Sequence, residues 1–245
     1  MDSGYYAACA GLAAQEQALE LVAHNLANLS TSGYRGQEMT FRSLLAGDAE
    51  ASANPLNAAV NNFGVLSGTR LDLTSGSFAP TGNPLDAAIA GTGFFSVQSP
   101  QGVLYTRAGS FHTTGTGQLE TSEGNAILGQ QGPITLPSGN VAISSDGTIS
   151  VDGNVVDRLN LAEFPAGTNL TAAGNAKYSA PEGAATPAVE STVRQGMLEG
   201  SNVGVMEGVV QLITVQRNTE LLSRAMSAFD SQLDQTAVQD LPKVG

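Results

Sequence analysis

The residues able to do chemistry are few and far apart. Gly91-Thr92-Gly93-Phe94-Phe95 comes nearest to a dinucleotide loop. That fingerprint needs a third glycine, a strand before it and a helix after it, because the helix N-terminus faces the phosphates. Ser96 stands next, and the residues beyond it read as a strand. The stretch therefore predicts a glycine-permitted turn in front of a buried Phe pair. Carboxylates at Asp86, Glu120, Glu123, Asp146 and Asp157 could cleave a sugar bond in pairs, given the right separation in space. Asp146 and Asp152 each precede a glycine and read better as turn residues. His24 and His112 are the only histidines and Cys9 is the only cysteine. No G-x-S-x-G elbow supports a Ser–His–Asp triad, and structural zinc needs more Cys and His at set spacings. The expectation is no catalytic residue, no cofactor and no metal, with both histidines structural or exposed and Cys9 a small buried residue.

Bulk properties narrow the classes further. Only 13% of the 245 residues are charged, and the net charge is −12. Such a field repels a phosphate backbone, so no nucleic-acid partner is expected. No segment reaches the ~18–20 consecutive apolar residues of a membrane helix, so no membrane insertion is expected. Met1 to Gly11 carries Asp2, no basic residue and no apolar run of signal-peptide type. The expectation is a chain that is cytosolic or exported without a cleaved signal peptide.

The periodicity assigns the elements. Residues 5 to 29 predict a helix, with Tyr5, Leu12, Leu19 and Leu26 at every seventh position and Ala8, Gln15, Val22 and Leu29 as a second row. Residues 203 to 235 predict another. Its rows are Val205, Leu212, Thr219, Met226 and Leu233, and Gly208, Val215, Leu222 and Phe229. Between them the period falls to two, with turn pairs such as Asp146-Gly147 and Asp152-Gly153. The predicted fold class is α+β: long N- and C-terminal helices pairing as a coiled coil around an antiparallel β-rich central domain. The predicted divisions are 1–42 for the N-terminal helix and its motif, 43–84 for a flexible connector, 85–195 for the β-rich outer domain, 196–235 for the C-terminal heptad helix and 236–245 for a tail. The expected assembly residues are Tyr5, Leu12, Leu19, Val22, Leu26, Leu29, Val205, Leu212, Val215, Leu222, Met226, Phe229 and Leu233.

Several short motifs then line up in order. Asn25-Leu26-Ala27-Asn28 with Ser30-Thr31-Ser32-Gly33-Tyr34-Arg35 resembles the amino-terminal signature of bacterial flagellar rod, hook and hook-associated proteins. Thr81–Asp86 through Gly91–Phe95, then Tyr105-Thr106-Arg107-Ala108-Gly109-Ser110-Phe111, resemble the same family's β-domain motifs. Gly132-Pro133-Ile134, Asp146–Ile149 and Gln195–Val203 follow in the family's order. The motif residues carried over are Asn25, Leu26, Ala27, Asn28, Gly33 and Tyr34. Within the family the chain most resembles the proximal rod subunit, with the distal rod subunit as runner-up. The resemblance implies a non-enzymatic structural subunit of the periplasmic rod, which transmits torque from rotor to hook. Its implied partners are copies of itself, other flagellar rod subunits and the type III export apparatus. A secreted adhesin-like β protein and a cell-wall hydrolase are the remote alternatives. One departure stands out: Gln216-Arg217-Asn218-Thr219-Glu220 has Thr219 where the family often carries an aromatic.

Overall fold

The computed structural model describes residues 2–42 and 65–240. Helix α1 spans Asp2–Ala27 and helix α2 spans Val205–Asp240. Between them run short strands: β1 Gln37–Arg42, β2 Val65–Leu71, β3 Phe78–Pro80, β4 Ala87–Ala90, β5 Phe94–Ser99, β6 Gly102–Thr106, β7 Phe111–Thr113, β8 Leu119–Thr121, β9 Ala126–Gly129 and β10 Gly132–Pro133. They continue as β11 Val141–Ile143, β12 Thr148–Val151, β13 Asn154–Arg158, β14 Leu161–Glu163, β15 Thr171–Ala172, β16 Lys177–Ser179, β17 Thr186–Pro187, β18 Thr192–Gln195 and β19 Met197–Glu199.

The chain divides into two compact units. One holds α1 as far as Leu26 and α2 from Val205; the other holds 27–37 and 70–204. The second unit is built on a sheet of order β15-β16-β6-β5-β9-β8-β7, which also takes in β10, β14 and β17. Smaller antiparallel pairings, β11-β12-β13, β18-β4 and β19-β3, complete it. Strand β5 is covered on both faces. Phe95 and Val97 enter the main core with Ile89, Leu119, Ile127, Ile134 and Ile149. Phe94 enters a second cluster with Leu71, Leu170 and Tyr178. Edge-on ring contacts seat both: Phe95 on Phe111 at 5.1 Å, and Phe94 on Phe164 at 5.6 Å.

The turn signals act as their chemistry requires. Asp152 and Gly153 both have positive φ, 50° and 84°, and Val151 pairs with Asn154 across them. That is the two-residue hairpin turn that Asp-Gly favours. At the other Asp-Gly, Asp146 accepts hydrogen bonds from the Thr148 N–H at 3.1 Å and the Thr148 hydroxyl at 2.8 Å. These bonds, first the hydroxyl and then the amide, hold its carboxyl below the usual carboxylate range.

The expected fold class is corrected. The protein is mostly β-strands in antiparallel sheets, with two helices among the described residues, and the helices do not form a long coiled coil. In α1 the buried side chains are Ala18 and Val22, while Leu12, Leu19 and Leu26 are half-buried. In α2, Leu212, Val215, Leu222 and Met226 are half-buried, but Val205 is exposed, as are Met206, Val210, Ile213 and Leu221. The helices meet instead at glycines: Gly11 faces Leu222, and Gly208 faces Leu26. A coiled coil needs large side chains walling each hole, and a glycine at the seam has no wall to offer. Leu29 lies just beyond α1 and is half-buried. Tyr5, Phe229 and Leu233 fall within the helices, and their side chains lie outside the described set. Thr219 is half-buried, and its hydroxyl donates to the Val215 carbonyl at 2.9 Å, so the helix itself satisfies the polar group.

The predicted connector 43–84 lies in part outside the described residues, as do the last residues of the predicted tail. Within the span of the former, β2 and β3 are formed; within that of the latter, α2 continues to Asp240.

Candidate functional site: a buried charge cluster joining three motifs

The most unusual chemistry in the second unit is a triad of fully buried charges. Arg35, Arg107 and Glu199 each show at most 1% of their surface. Arg35 Nη2 donates to Glu199 Oε1 at 2.7 Å, and Arg107 Nη1 reaches Glu199 Oε2 at 3.2 Å. One carboxylate thus bridges two guanidinium groups, one oxygen each. Arg107 also donates to the carbonyls of Ile89 and Gly91, and its guanidinium lies 4.9 Å from the centre of the Phe94 ring. The Gly76 N–H donates to Glu199 Oε1 at 3.0 Å. Burial lowers the Arg107 pKa to about 10; the Arg35 charge pushes the same way and Glu199 opposes both. Removing one partner from such a buried group costs about 3–5 kcal/mol, because it strands the remaining charge.

Each charge comes from a different motif. Arg35 ends the Ser30–Arg35 turn, Arg107 follows β6, and Glu199 ends β19. The backbones are tied as well. Gly33 N–H donates to the Glu199 carbonyl at 2.8 Å, and the Arg35 N–H donates to the Tyr178 hydroxyl at 2.8 Å. Asn202 accepts from the Gly36 N–H and donates to the carbonyls of Asp72 and Thr74. Gly33 sits at φ 68°, and a Cβ there would lie 2.2 Å from Arg107 and Ala108 backbone atoms. Only glycine allows so close an approach in that conformation. Tyr34 beside it is buried, which pushes its phenol up to about 12. Of the other expected motif residues, Asn25, Leu26 and Asn28 are half-buried and Ala27 is exposed; Asn28 accepts from the Thr31 hydroxyl at 3.1 Å.

The other reactive-looking groups serve the backbone too. Gly91 and Gly93 pack against Ser191: a Cβ on either would come within 3.0 Å of its hydroxyl. Ser191 accepts from the Gly93 N–H and donates to Glu163 at 2.6 Å. The expected turn before Phe94 and Phe95 is therefore there, closed by a serine. Asp86 is buried and accepts from the Thr81 hydroxyl at 2.6 Å and the Asn83 amide at 2.9 Å. His112 is an exposed residue of β7, opposite Glu120. Among the described residues there is no metal-holding cluster of His, Cys, Asp and Glu. No helix among them is long and apolar enough to cross a membrane. Sequence reasoning quoted Arg35, Arg107 and Glu199 inside their motifs but gave them no role. The available signal was three charges, in a chain poor in charge, each inside a separate motif.

The polar groups of this site join chain segments. Residues 6–35 match the family model described as flagella basal body rod protein. Residues 88–151 match the flagellar hook protein FlgE/F/G D1 domain, and residues 194–239 the flagellar basal body rod FlgEFG protein C-terminal region. The chain is 33% identical to the flagellar basal-body rod protein FlgG of Buchnera aphidicola, over 91% of this chain and 94% of that one. It is 30% identical to the flagellar basal-body rod protein FlgF of Caulobacter vibrioides, over 100% of both chains. It is 34% identical to FlgG of Caulobacter vibrioides, over 94% of this chain and 96% of that one. The chain belongs to the flagellar basal-body rod protein family. It is a structural protein of the flagellar basal body, where it assembles with other axial proteins.

Proposed function

We propose that the chain is the proximal rod subunit, with the distal rod subunit as the second reading. It polymerises with copies of itself and with other rod subunits, and the polymer carries torque from rotor to hook across the periplasm. It reaches that place through the type III export apparatus, and it has no catalytic activity. The observation that carries the reading is the joining of three rod-family motifs by one buried cluster, Arg35, Arg107 and Glu199. Relatives named FlgG and FlgF both align along nearly the whole chain. The choice of proximal over distal rests on the phrases at Thr81–Asp86, Gly132–Ile134 and Gln195–Val203 and on the short connector, since the distal subunit typically carries a longer insertion there.

Assembly draws on the apolar residues of the helices, among them Leu12, Leu19, Leu212, Val215, Leu222 and Met226. Burying such surface supplies roughly 25 cal/mol per Å². The test is a pair of variants, Leu19→Asp and Leu222→Asp, scored for rod formation by electron microscopy of basal bodies and for folding of the β unit by circular dichroism. Rods are expected to be lost while the β unit stays folded; normal motility in both variants would refute the assignment of these residues. The order of labelled subunits in isolated basal bodies decides proximal against distal.

A further inference from the structure

We propose that Arg35, Arg107 and Glu199 form a closing latch, which makes docking of the 33–36 segment wait for the arrival of the 196–202 segment. Its use during export rests on the export reading above; the latch itself is a property of this chain alone. The argument starts from distance along the chain. Arg35 and Glu199 lie 164 positions apart, and Arg107 and Glu199 lie 92 apart. When residues appear in order from the amino end, both arginines are present long before the carboxylate that joins them.

Without Glu199 the closed arrangement buries two like charges with no bridging anion. Burying a charge without a partner is costly enough to keep the group in water instead. Arg107 retains two backbone carbonyls and the Phe94 ring, so it has partners in the sheet already. Arg35 has no such local alternative in the contacts that seat it. Its side chain is held by Glu199; its N–H donates to the Tyr178 hydroxyl, and the neighbouring backbone is held by Glu199, Asn202 and Asp72. Tyr178 and Asp72 can meet the backbone of the 33–36 segment earlier, but the segment lacks the partner of its buried charge until the 196–202 segment arrives. The segment from 196 to 202 is committed by the same event: the Gly76 N–H meets the Glu199 carboxylate, and the Gly200 N–H meets the Ser77 carbonyl at 2.8 Å. Three stretches of chain, 33–36, 76–77 and 199–202, close together or not at all.

The β sheet and the latch are distinguishable. Strand β5 pairs with β6 on one side and β9 on the other, with Val97 and Ile127 in the core and no contribution from Glu199. The sheet amides thus report folding, and the amides of Gly33, Gly36 and Gly76 report closure.

The experiment is pulse-labelled hydrogen exchange during refolding of the full chain, with native-state exchange on two variants. In the wild-type chain Gly33, Gly36 and Gly76 are expected to gain protection in one shared phase. Glu199→Gln is expected to lose at least about 100-fold of protection at those three amides. The triple variant Arg35→Met, Arg107→Met, Glu199→Met removes all three charges together and is expected to recover that protection at Gly33 and Gly36, whose acceptors it keeps, but not at Gly76, whose acceptor is the Glu199 carboxylate. Global unfolding of Glu199→Gln alongside a folded triple variant supports the latch in a stronger form. The proposal is overturned if Gly33 and Gly36 are protected in an earlier phase than Gly76. It is overturned equally if Glu199→Gln keeps wild-type protection, or if the triple variant opens as Glu199→Gln does. None of these readouts depends on export or on rod assembly, so failure of either reading leaves the other standing.

Discussion

Gly109 offers a sharp test of how tightly the β unit is packed. A Cβ at this position would lie 1.6 Å from the Ala87 carbonyl oxygen and 2.7 Å from its carbon. A carbon and a carbonyl oxygen in close contact sit at about 3.3 Å, so Gly109→Ala drives the two backbones apart by roughly 1.7 Å. The obstacle is backbone, and no rotamer change relieves it. The Ala87 N–H to Gly109 carbonyl bond of 3.0 Å breaks. Strand β4 then shifts, and with it Ala87, Ala88 and Ile89, all wholly buried. Overpacking of this kind costs about 1–3 kcal/mol, and an unpaired buried backbone group costs about 1–3 kcal/mol more. A total near 4 kcal/mol is expected. For a unit of roughly 150 residues the urea slope is about 2 kcal/mol/M, so the midpoint of unfolding falls by about 2 M. The control is Gly115→Ala, where an added Cβ meets nothing within 4 Å; its midpoint should not move. A Gly109→Ala midpoint within about 0.3 M of wild type, at unchanged slope, would refute the close approach of Gly109 to Ala87.

Two further outcomes are expected. Burial pushes the phenols of Tyr34 and Tyr178 up to about 12, so the folded chain holds protons that the unfolded chain releases above pH 10. Their stabilisation is complete below pH 10 and falls as pH rises towards 12, by about 1.4 kcal/mol per pH unit for each tyrosine. Arg107, lowered to about 10, works in the opposite sense over that range. The tyrosine effect is therefore read as the difference in alkaline slope between wild type and Tyr178→Phe, and equal slopes would contradict it. Asn202→Asp should destabilise the second unit as much as Asn202→Ala, by about 2–3 kcal/mol in urea. A carboxylate still accepts from the Gly36 N–H but meets the carbonyls of Asp72 and Thr74 with an unfavourable charge; an aspartate variant close to wild type would count against this.

The sequence showed what is local. Alternation marked the β region, and the Asp152-Gly153 pair marked the hairpin between β12 and β13, because that dipeptide tolerates positive φ. Gly91 to Phe95 read correctly as a turn ahead of a buried Phe pair, although Ser191, which closes the turn, lies far along the chain. The helices at both ends were visible in their seven-residue rows. Their coiled-coil pairing was not a sound inference, since spacing counts apolar positions and overlooks what faces them. Gly11 and Gly208, the second of them in a predicted row, face leucines across the helices, and the buried residues of α1 are Val22, from the second row, and Ala18, from neither, while Leu12, Leu19 and Leu26 are half-buried. The charge cluster was illegible for a different reason. Nothing local to Arg35 announces Glu199, because the pairing exists only after the sheet has brought distant segments together.

Joining the 33–36 segment to the 199–202 segment also has a mechanical consequence. The first segment of the β unit, 27–37, is fastened to its last residues by the Arg35–Glu199 pair, the Gly33 to Glu199 backbone bond and the Gly36 to Asn202 bond. Tension applied along the chain at residues 27 and 204 is therefore carried across that fastening, in the manner of a buckle. The strands between lie in the loop behind it, and those tied to the buckle, β3 by its pairing with β19, β6 through Arg107 and β16 through Tyr178, share its load.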